Sequence, residues 1–414
     1  MTEHSFCKDA FPSIRPAEIA KAAVVGFGAM GAGIAQALAM AGVPSVVLDE
    51  NPAALDKGLA RIKTSLEKRV AQGKLSRQQC QEALALLRAT GRIDELRDAD
   101  LVIEAVFEDL DTKRRVLAQI ESVCRDAAIL ATNTSSINLD QLAEGLRCPG
   151  RLVGMHFFNP AQHMPLVEII RRDATPAEHL ATAMHFAERL GKRPVLVRNR
   201  EGFLVNRVFI PYLKEAFRLL EEGANPTDVD STMVDFGFPM GPLAVTDLAG
   251  LDVILNADRV ISRAFPHHGP ASPIMLGLVE LGHLGQKTGL GVYRYQPGDN
   301  TPHPGGVAEE VVVKVQKELG RSPRHVGREE ILQRLLFRMV AEAFRVMEEG
   351  VAASESDVDA ATVLGVGFPA CRGGVVKYSR DLGLATVVAK LTALSARCGP
   401  RYGPCEGLQA ERRV

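Results

Sequence analysis

Short apolar runs alternate with longer amphipathic stretches over the first half of the chain. The run at 22–26 ends at glycines and is followed by small residues at helical spacing, and a second β-branched run ends at Asp49. Strand, turn, helix and strand therefore fill about thirty residues, the length of one βαβ unit. Farther along, the pattern predicts a helical stretch and three more strands, over 52–88, 100–107, 127–132 and 151–155. Strands that alternate with helices predict an α/β fold with a doubly wound parallel sheet.

The pattern changes in the second half of the chain. Helical segments punctuated by Gly-Pro replace the strands, which places a domain boundary near 195–200. The Pro- and Gly-rich stretch at 296–306 is typical of a linker. We therefore expect an N-terminal extension, a dinucleotide-binding domain, a first helical domain, a linker and a second helical domain, with the bounds 1–20, 21–198, 199–297, 298–326 and 327–414.

Three short sequences of the helical half occur twice, in the same order. The offsets between the two copies are 127, 129 and 130. Such a repeat predicts two similar all-α domains, which can pack against each other as the subunits of a symmetric dimer do. We expect a monomer with an internal pseudo-dimer, and a weak homodimer is the alternative. The repeated sequences are FRLLEEG, DVD and GFP in the first copy, starting at Phe217, Asp228 and Gly237, and FRVMEEG, DVD and GFP in the second, starting at Phe344, Asp357 and Gly367.

Composition and charge limit the classes of function. The 414 residues carry a net charge of −1, which gives no electrostatic case for nucleic acid or an anionic membrane surface as the partner. No apolar run is long enough for membrane insertion, and no secretory signal is visible in the first twenty residues. Seven scattered cysteines without a CxxC pair suggest neither a zinc site nor a disulfide framework. We therefore expect no metal and a cytoplasmic location.

A glycine motif between the first strand and the first helix points to a dinucleotide. The sequence GFGAMG fits the GxGxxG pattern in the required context of strand and helix. The first glycine permits a tight turn, the second lets the backbone approach a pyrophosphate, and the third allows close contact between helix and strand. A plain glycine turn is the alternative. We assign to cofactor binding, in a Rossmann-type domain, Gly26, Gly28, Ala29, Met30 and Gly31.

An acidic residue ends the second predicted strand. Asp49 lies eighteen residues after Gly31, where a carboxylate can accept hydrogen bonds from ribose hydroxyls and repel a 2′-phosphate. No arginine follows it directly, which favours NAD over NADP as the cofactor. A helix N-cap ahead of Pro52 is the alternative role for Asp49.

Two further clusters suggest acid–base chemistry on a bound ligand. The polar sequence NTSS, which includes Asn133 and Ser135, follows the strand at 127–132 and should lie at the ligand-binding edge of the sheet, although a polar turn is the alternative. His156 is followed twelve residues later by Glu168, which Val and Ile flank in a short strand. A buried carboxylate needs a partner, and an imidazole on a neighbouring strand would become a better general base beside it. A core histidine with an unrelated glutamate is the alternative.

These motifs, in this order and at these spacings, resemble the L-3-hydroxyacyl-CoA dehydrogenase family. They are GFGAMG with Asp49, NTSS, GMHFFNP, PLVEII and GFLVNRVF, and the resemblance runs from about residue 20 to about residue 390. The doubled helical unit looks like the dehydrogenase part of the multifunctional fatty-acid oxidation proteins. Those proteins have an enoyl-CoA hydratase domain ahead of it, whereas only some twenty residues precede the first predicted strand here.

The resemblance implies roles for individual residues. The catalytic base falls on His156, its orienting acid on Glu168, and the polar residues that face substrate and nicotinamide on Ser135 and Asn206. A helix cap is the alternative role for Asn206. The equivalent position in the second repeat is Gln333, so we expect one catalytic site in the chain. Besides the glycine motif and Asp49, the implied cofactor contacts are Glu108, Lys113, Asn133 and Ser135.

The implied activity is NAD-dependent oxidation of (3S)-3-hydroxyacyl-CoA to 3-oxoacyl-CoA in fatty-acid β-oxidation. The implied substrate is therefore an acyl-CoA, and a separate enoyl-CoA hydratase or thiolase is a candidate partner, although no docking motif is visible. No Lys/Arg cluster marks a site for the CoA phosphates. A dehydrogenase of another small hydroxy compound is thus the first alternative, and a non-catalytic binding homologue is the second.

Overall fold

The computed structural model describes residues 5–305 and 307–411. The outer ends of the predicted segments 1–20 and 327–414 therefore lie outside the described residues. The chain divides into two compact units, Met1–Arg200 and Glu201–Val414. Within the described ranges, no helix has the length and apolar character needed to cross a membrane.

The first unit is built around one sheet, which has eight strands in the described residues. Their order across the sheet is β3-β2-β1-β4-β5-β6-β7-β8. Neighbouring strands are parallel except β6 and β7, which are antiparallel. In chain order the strands are β1 Ala22–Val25, β2 Ser45–Leu48, β3 Leu87–Thr90, β4 Leu101–Glu104, β5 Ile129–Thr132, β6 Leu152–Phe157, β7 Leu166–Arg171 and β8 Arg193–Arg198.

Helices cover both faces of this sheet. Ala22 and Val24 of β1 belong to an apolar layer on one face, together with residues of α2, α3 and α7. Ala23 and Val25 belong to the layer on the other face, together with residues of α5 and α6. The predicted doubly wound α/β fold is thereby confirmed. The helices of this unit are α1 Phe6–Ala10, α2 Ala29–Met40, α3 Pro52–Ala71, α4 Arg77–Ala85, α5 Leu110–Val123, α6 Leu139–Ala143 and α7 Ala177–Arg189.

The sheet differs from the prediction in three places. The stretch 52–88 is not one helix, because a capping box at Ser76 starts α4 after a break and the chain then enters β3, which pairs with β2. β3 and β8 are edge strands, and exposed edge residues such as Arg88 obscure the alternating pattern. The third difference is the antiparallel pair, since the eight residues between β6 and β7 are too few for the crossover that parallel strands need.

The predicted N-terminal extension is part of the first unit rather than a separate segment. The backbone N–H of Cys7, in α1, donates to Oε1 of Glu188 in α7 at 2.9 Å. Cys7 itself is buried against the apolar layer that contains α7. A short amphipathic helix at 6–10 therefore covers α7, a feature too short to give a periodic signal in the sequence.

The second unit is helical, as predicted, with one hairpin among its described residues. The hairpin strands are β9 Arg294–Gln296 and β10 Asp299–His303, and they turn at Pro297-Gly298. The predicted linker 298–326 is thus structured, since it holds β10 and α13, and Gly298 at its start belongs to the turn of the hairpin. The helices are α8 Val205–Glu222, α9 Pro226–Phe236, α10 Pro242–Ala249, α11 Leu251–Ala264, α12 Pro273–Glu280, α13 Val307–Glu318, α14 Arg328–Glu348, α15 Glu355–Ala361, α16 Val375–Leu382, α17 Leu384–Cys398 and α18 Glu406–Glu411.

The two copies of the repeat pack against each other within the second unit. α8 and α14, which carry the repeated sequence at an offset of 127, lie side by side. Arg207 of α8 donates to Glu342 of α14 at 3.5 Å, and Arg334 of α14 donates to Glu215 of α8 at 2.9 Å. At the offset of 127, Arg207 corresponds to Arg334 and Glu215 to Glu342. The repeat therefore exchanges the two ion pairs, as the two-fold axis does in the interface of a symmetric dimer. The two predicted helical domains therefore form one compact unit.

Candidate active site

The glycine motif forms the loop between β1 and α2. Gly26 has φ +93°, and an added Cβ there would lie 2.7 Å from the carbonyl oxygen of Ala105. An added Cβ on Gly31 would lie 1.8 Å from the carbonyl oxygen of Gly26. Gly28 differs, because a Cβ there would meet no atom of the described residues within 4 Å. The first and third glycines are thus required by packing within the protein, whereas Gly28 borders an open space that a bound phosphate can enter.

The first turn of α2 offers hydrogen-bond donors to that space. Gly28 is the N-cap of α2, and within the described chain no side chain caps this helix. Ala29 is exposed, and Met30 is half-buried against the apolar layer. The N–H groups of a first helical turn have no carbonyl partner inside the helix. They are therefore the groups that would hold the pyrophosphate of a dinucleotide.

Asp49, directly after β2, holds the glycine loop through a hydrogen bond to its backbone. Its Oδ2 accepts a hydrogen bond from the N–H of Phe27 at 2.8 Å, and its Oδ1 accepts one from the N–H of Asn51 at 2.9 Å. The N-cap of α3 is Asn51, whose side chain accepts from the N–H of Ala53. The alternative role of Asp49 as a helix N-cap is therefore wrong, and its half-exposed carboxylate lies beside the loop.

β6 and β7 place His156 directly beside Glu168. The antiparallel register pairs the two residues, and Nδ1 of His156 lies 2.6 Å from Oε2 of Glu168. The histidine is 5% exposed and the glutamate 0%. The structure thus brings together the two side chains that the sequence paired. A carboxylate at Nδ1 orients the ring and makes Nε2, on the opposite side, the nitrogen available for proton transfer.

Aromatic and amide groups support the strand that carries this histidine. The ring centroid of Phe158 lies 4.5 Å from that of His156. The side-chain oxygen of Asn133 accepts a hydrogen bond from the N–H of Phe157 at 2.8 Å. Asn133 therefore ties the loop after β5 to the end of β6. This positioning role adds to the cofactor contact that the resemblance implied.

The loop that carries Ser135 is held by Glu108. Oε1 of Glu108 accepts hydrogen bonds from Oγ1 of Thr134 at 2.6 Å and from the N–H of Ser135 at 2.9 Å. Oε2 of Glu108 lies 3.3 Å from Nζ of Lys113. Burial raises the pKa of Glu108, but the charge of Lys113 and the donated hydrogen bonds outweigh burial and bring the pKa below its usual value. Glu108 is therefore a carboxylate at neutral pH.

A buried carboxylate that the sequence analysis missed lies next to this loop. Glu104 ends β4 and is 0% exposed. It accepts hydrogen bonds from the N–H of Val106 at 2.7 Å, from Nζ of Lys113 at 2.8 Å and from Oγ1 of Thr132 at 2.6 Å. The signal was available, because Glu104 interrupts an apolar strand just as Glu168 does.

Asn206 lies in the first turn of α8, in the second unit. The N-cap of this helix is Leu204, so the alternative role of Asn206 as a cap is wrong. The equivalent Gln333 lies within α14, where its amide donates to Oε1 of Glu329 at 3.0 Å. The two positions thus differ in residue type and in their place along the helix, despite the repeat.

One group of side chains in the second unit has the types that bind metals. His267, His268 and Glu342 offer ligand atoms within 4.8 Å of one another. However, Arg338 donates to Oε1 of Glu342 at 3.1 Å, and Arg345 contacts the same oxygen. These guanidinium groups already neutralise the carboxylate and would repel a divalent cation. We assign no metal to this cluster.

Two family models match the chain. The NAD-binding domain of 3-hydroxyacyl-CoA dehydrogenase matches residues 21–200. The C-terminal domain of 3-hydroxyacyl-CoA dehydrogenase matches residues 202–295 and 331–410. The first range falls in the first unit, and the other two ranges contain the two copies of the helical repeat.

Curated relatives of the chain are larger proteins. It is 36% identical to the peroxisomal bifunctional enzyme of Danio rerio over 389 residues, which is 91% of this chain and 54% of that protein. It is 38% identical to the fatty acid oxidation complex subunit alpha of Psychrobacter arcticus, over 93% of this chain and 54% of that protein. The chain therefore spans about half the length of these curated relatives.

Solved structures of dehydrogenases match nearly the whole chain. The 3-hydroxybutyryl-CoA dehydrogenase of Escherichia coli has a TM-score of 0.84 and 30% identity, over 96% of this chain and 99% of that one. The dehydrogenase part of multifunctional enzyme 1 from C. elegans has a TM-score of 0.68 and 28% identity, over 97% and 91%. The resemblance seen in the motifs is confirmed, and the chain belongs to the 3-hydroxyacyl-CoA dehydrogenase family, with NAD as its cofactor.

Proposed function

We propose that the chain oxidises (3S)-3-hydroxyacyl-CoA to 3-oxoacyl-CoA, with NAD as the hydride acceptor. The observation that carries this proposal is the 2.6 Å contact between Nδ1 of His156 and Oε2 of Glu168, in the unit that also contains the glycine loop. An alcohol is oxidised only when its proton and its hydride both leave. A histidine held by a buried carboxylate is suited to take the proton.

In the proposed mechanism His156 acts as the general base. Its Nε2 would accept the proton of the 3-hydroxyl group, and the imidazole would gain a positive charge. Glu168 would offset this charge from the opposite side of the ring, which lowers the free energy of the charged state. When bound, NAD supplies the acceptor for the hydride that leaves C3.

Cofactor binding is assigned to the open side of the glycine loop. The N–H groups of Ala29 and Met30, with the small residue Gly28, would hold the pyrophosphate. Asp49 would accept hydrogen bonds from the adenosine ribose. This assignment is supported by the open space beside Gly28 and by the half-exposed carboxylate of Asp49.

Substrate positioning is assigned to Ser135 and Asn206. Ser135 lies on the loop after β5, at the carboxyl edge of the sheet, where ligands of open α/β sheets bind. Asn206 carries an amide in the first turn of α8. Their support is the match of both residues to the family motifs. The amide of Asn206 can donate to a substrate or nicotinamide oxygen, whereas the hydroxyl of Ser135, which donates to Glu108 at 3.2 Å, would have to turn towards a ligand to do so.

Assembly, partners and location are proposed on separate grounds. The reciprocal ion pairs of α8 and α14 use the surface that two copies of a chain would share, so we propose a monomer. A separate enoyl-CoA hydratase or thiolase is the proposed partner, because the curated relatives are bifunctional or complex-forming by name. A reducing, cytoplasmic location is proposed because all seven cysteines, which lie among the described residues, are free thiols.

One assay tests the proposed reaction. In the reductive direction, the loss of NADH absorbance is followed with acetoacetyl-CoA. In the oxidative direction, the gain of NADH absorbance is followed with NAD and free 3-hydroxy acids. Consumption of NADH with the thioester, and no reaction with the free acids, is expected. Reaction only with the free acids, or with neither compound, contradicts the proposal.

A further inference from the structure

Glu104 is a buried carboxylate whose two oxygens are both in use. Oε1 accepts from the N–H of Val106 and from Nζ of Lys113, at 2.7 and 2.8 Å. Oε2 accepts from Oγ1 of Thr132 at 2.6 Å. Because the side chain is 0% exposed, Glu104 meets neither solvent nor a ligand directly. Any influence on a bound molecule must pass through these partners.

Lys113 connects this buried carboxylate to a second one. Its Nζ lies 2.8 Å from Oε1 of Glu104, 3.3 Å from the carbonyl oxygen of Val106 and 3.3 Å from Oε2 of Glu108. An ammonium group has three N–H donors, so these three acceptors account for all of them. Lys113 is 1% exposed, and its ammonium therefore bridges the end of β4 and the start of the loop before α5.

Glu108 connects Lys113 to the loop after β5. While Oε2 faces Lys113, Oε1 accepts from Oγ1 of Thr134 and from the N–H and Oγ of Ser135. The side chain of Glu108 is 37% exposed, so the connection runs from the protein interior to the edge of the sheet. If Lys113 lost Glu104, its charge would be balanced by Glu108 alone, and the ammonium would draw Glu108 away from Ser135.

A second route leads from Glu104 to the strand of the histidine. Thr132, which donates to Glu104, directly precedes Asn133, and Asn133 accepts from the N–H of Phe157 at 2.8 Å. Phe157 follows His156 in β6. The same buried carboxylate thus supports both the loop that carries Ser135 and the end of the strand that carries His156.

We propose that Glu104 is a positioning residue of the dehydrogenase site, which acts through Lys113 and Glu108 to hold the Ser135 loop in its cofactor-binding geometry. This inference rests on the proposed function of the same site. It predicts that removal of the charge of Glu104 weakens NADH binding only while Lys113 is present. A residue that merely filled space would affect stability without this dependence.

The test is a double-mutant cycle of Glu104→Gln and Lys113→Met, read out as the dissociation constant of NADH. Binding is measured by the rise in cofactor fluorescence, which is simple to interpret because the chain has no tryptophan. Glu104→Gln alone is expected to weaken NADH binding roughly tenfold, within the range for residues of one ion-pair network. In the Lys113→Met background the same change is expected to alter binding less than twofold.

Kinetics and matched variants separate positioning from structure. For Glu104→Gln the KM for NADH should rise and kcat should fall. Asp94→Asn is the control, because it removes one charge from the exposed Arg92–Asp94 pair of the same unit, and it should bind NADH as the unmodified chain does. If Glu104→Gln does not fold, Thr132→Val removes the bond to Oε2 of Glu104, together with the longer bond that Thr132 accepts from the N–H of Thr134, and should weaken NADH binding in the same direction.

Two results would overturn the inference. One is an NADH dissociation constant for folded Glu104→Gln or Thr132→Val equal to that of the unmodified chain. The other is an equal effect of Glu104→Gln in both backgrounds of the cycle. Both results are measured as NADH dissociation constants, so they remain decisive even if acetoacetyl-CoA is not a substrate. Failure to turn over acetoacetyl-CoA would count against the proposed function instead.

Discussion

Nδ1 of His156 and Oε2 of Glu168 lie 2.6 Å apart across the antiparallel strands β6 and β7. The register of the two strands, rather than a flexible loop, sets this distance. Both side chains are almost wholly removed from solvent. A buried histidine with its carboxylate on a rigid sheet is pre-organised, so little reorganisation is needed when the ring becomes charged.

Removal of the charge of Glu168 tests its role in that pair. Glu168→Gln keeps the size of the side chain but can no longer offset the positive charge of the imidazole. We expect kcat with acetoacetyl-CoA to fall roughly 10²-fold, with the NADH dissociation constant unchanged. Glu67→Gln, at an exposed position of α3, is the matched control and should keep its kcat. Equal kcat values for the two variants would contradict the assigned role.

The glycine loop predicts opposite outcomes for two alanine substitutions. Gly28 has φ −69° and space for a Cβ, so Gly28→Ala should leave the thermal unfolding temperature unchanged but abolish measurable NADH binding. Gly31→Ala would place a Cβ 1.8 Å from a carbonyl oxygen and should lower the unfolding temperature strongly. Both are checked by thermal unfolding and NADH fluorescence. Normal NADH binding by Gly28→Ala would rule out the proposed pyrophosphate position.

The charge of Asp49 should determine how strongly the chain prefers NADH over NADPH, which carries a 2′-phosphate. Asp49→Asn removes the charge that repels this phosphate and weakens the acceptor for the ribose hydroxyls. NADH should bind about tenfold more weakly, and the preference for NADH over NADPH should narrow. Glu50→Gln, at the next and exposed position, is the control. If Asp49→Asn and Glu50→Gln change the two affinities alike, the ribose contact is refuted.

The ion pairs between the repeats predict a specific pH dependence of stability. Burial raises the pKa of Glu215, but Arg334 and Arg401 outweigh burial and bring the pKa from 4.5 to about 2. Because the folded-state pKa lies below the unfolded value, the unfolded chain binds more protons between these two values. The stabilisation is therefore complete above pH 4.5 and is lost as the pH falls towards 2.

Glu215→Gln should remove this dependence. At neutral pH the variant should lose up to about 3–5 kcal/mol of unfolding free energy, because the buried Arg334 keeps Glu222 as a carboxylate partner but loses Glu215, and Arg401 loses both of its bonds to Glu215. The difference from the unmodified chain should shrink as the pH falls below 4.5. Urea unfolding at several pH values measures it, with the exposed Glu329→Gln as the control. A difference that stays constant over this pH range would show that Glu215 is not the responsible group.

The sequence predicted the parts of the fold that have a strong local signal. The first βαβ unit, its glycine turn and the repeat could all be read from residue types and spacing. The His156–Glu168 pair was found because a carboxylate in an apolar strand needs a partner. The same argument applied to Glu104 would have found the second buried carboxylate.

The remaining features depend on contacts that no local pattern records. The edge strands β3 and β8 pair on one side only, so polar residues such as Arg88 do not disrupt them. The capping of α3 by Asn51, rather than by Asp49, depends on the hydrogen bond from Phe27 that holds Asp49 to the glycine loop. The turn at Pro297-Gly298 looks like a linker until its two strands are seen to pair.

The most direct test of the central claim is the turnover of His156→Gln with acetoacetyl-CoA and NADH, measured beside its NADH dissociation constant. His163→Gln, at an exposed position in the loop after β6, is the control and should keep its turnover. If His156 is the general base, kcat falls by about 10²–10⁴ while NADH binds as before. Turnover of His156→Gln close to that of the unmodified chain would contradict the account.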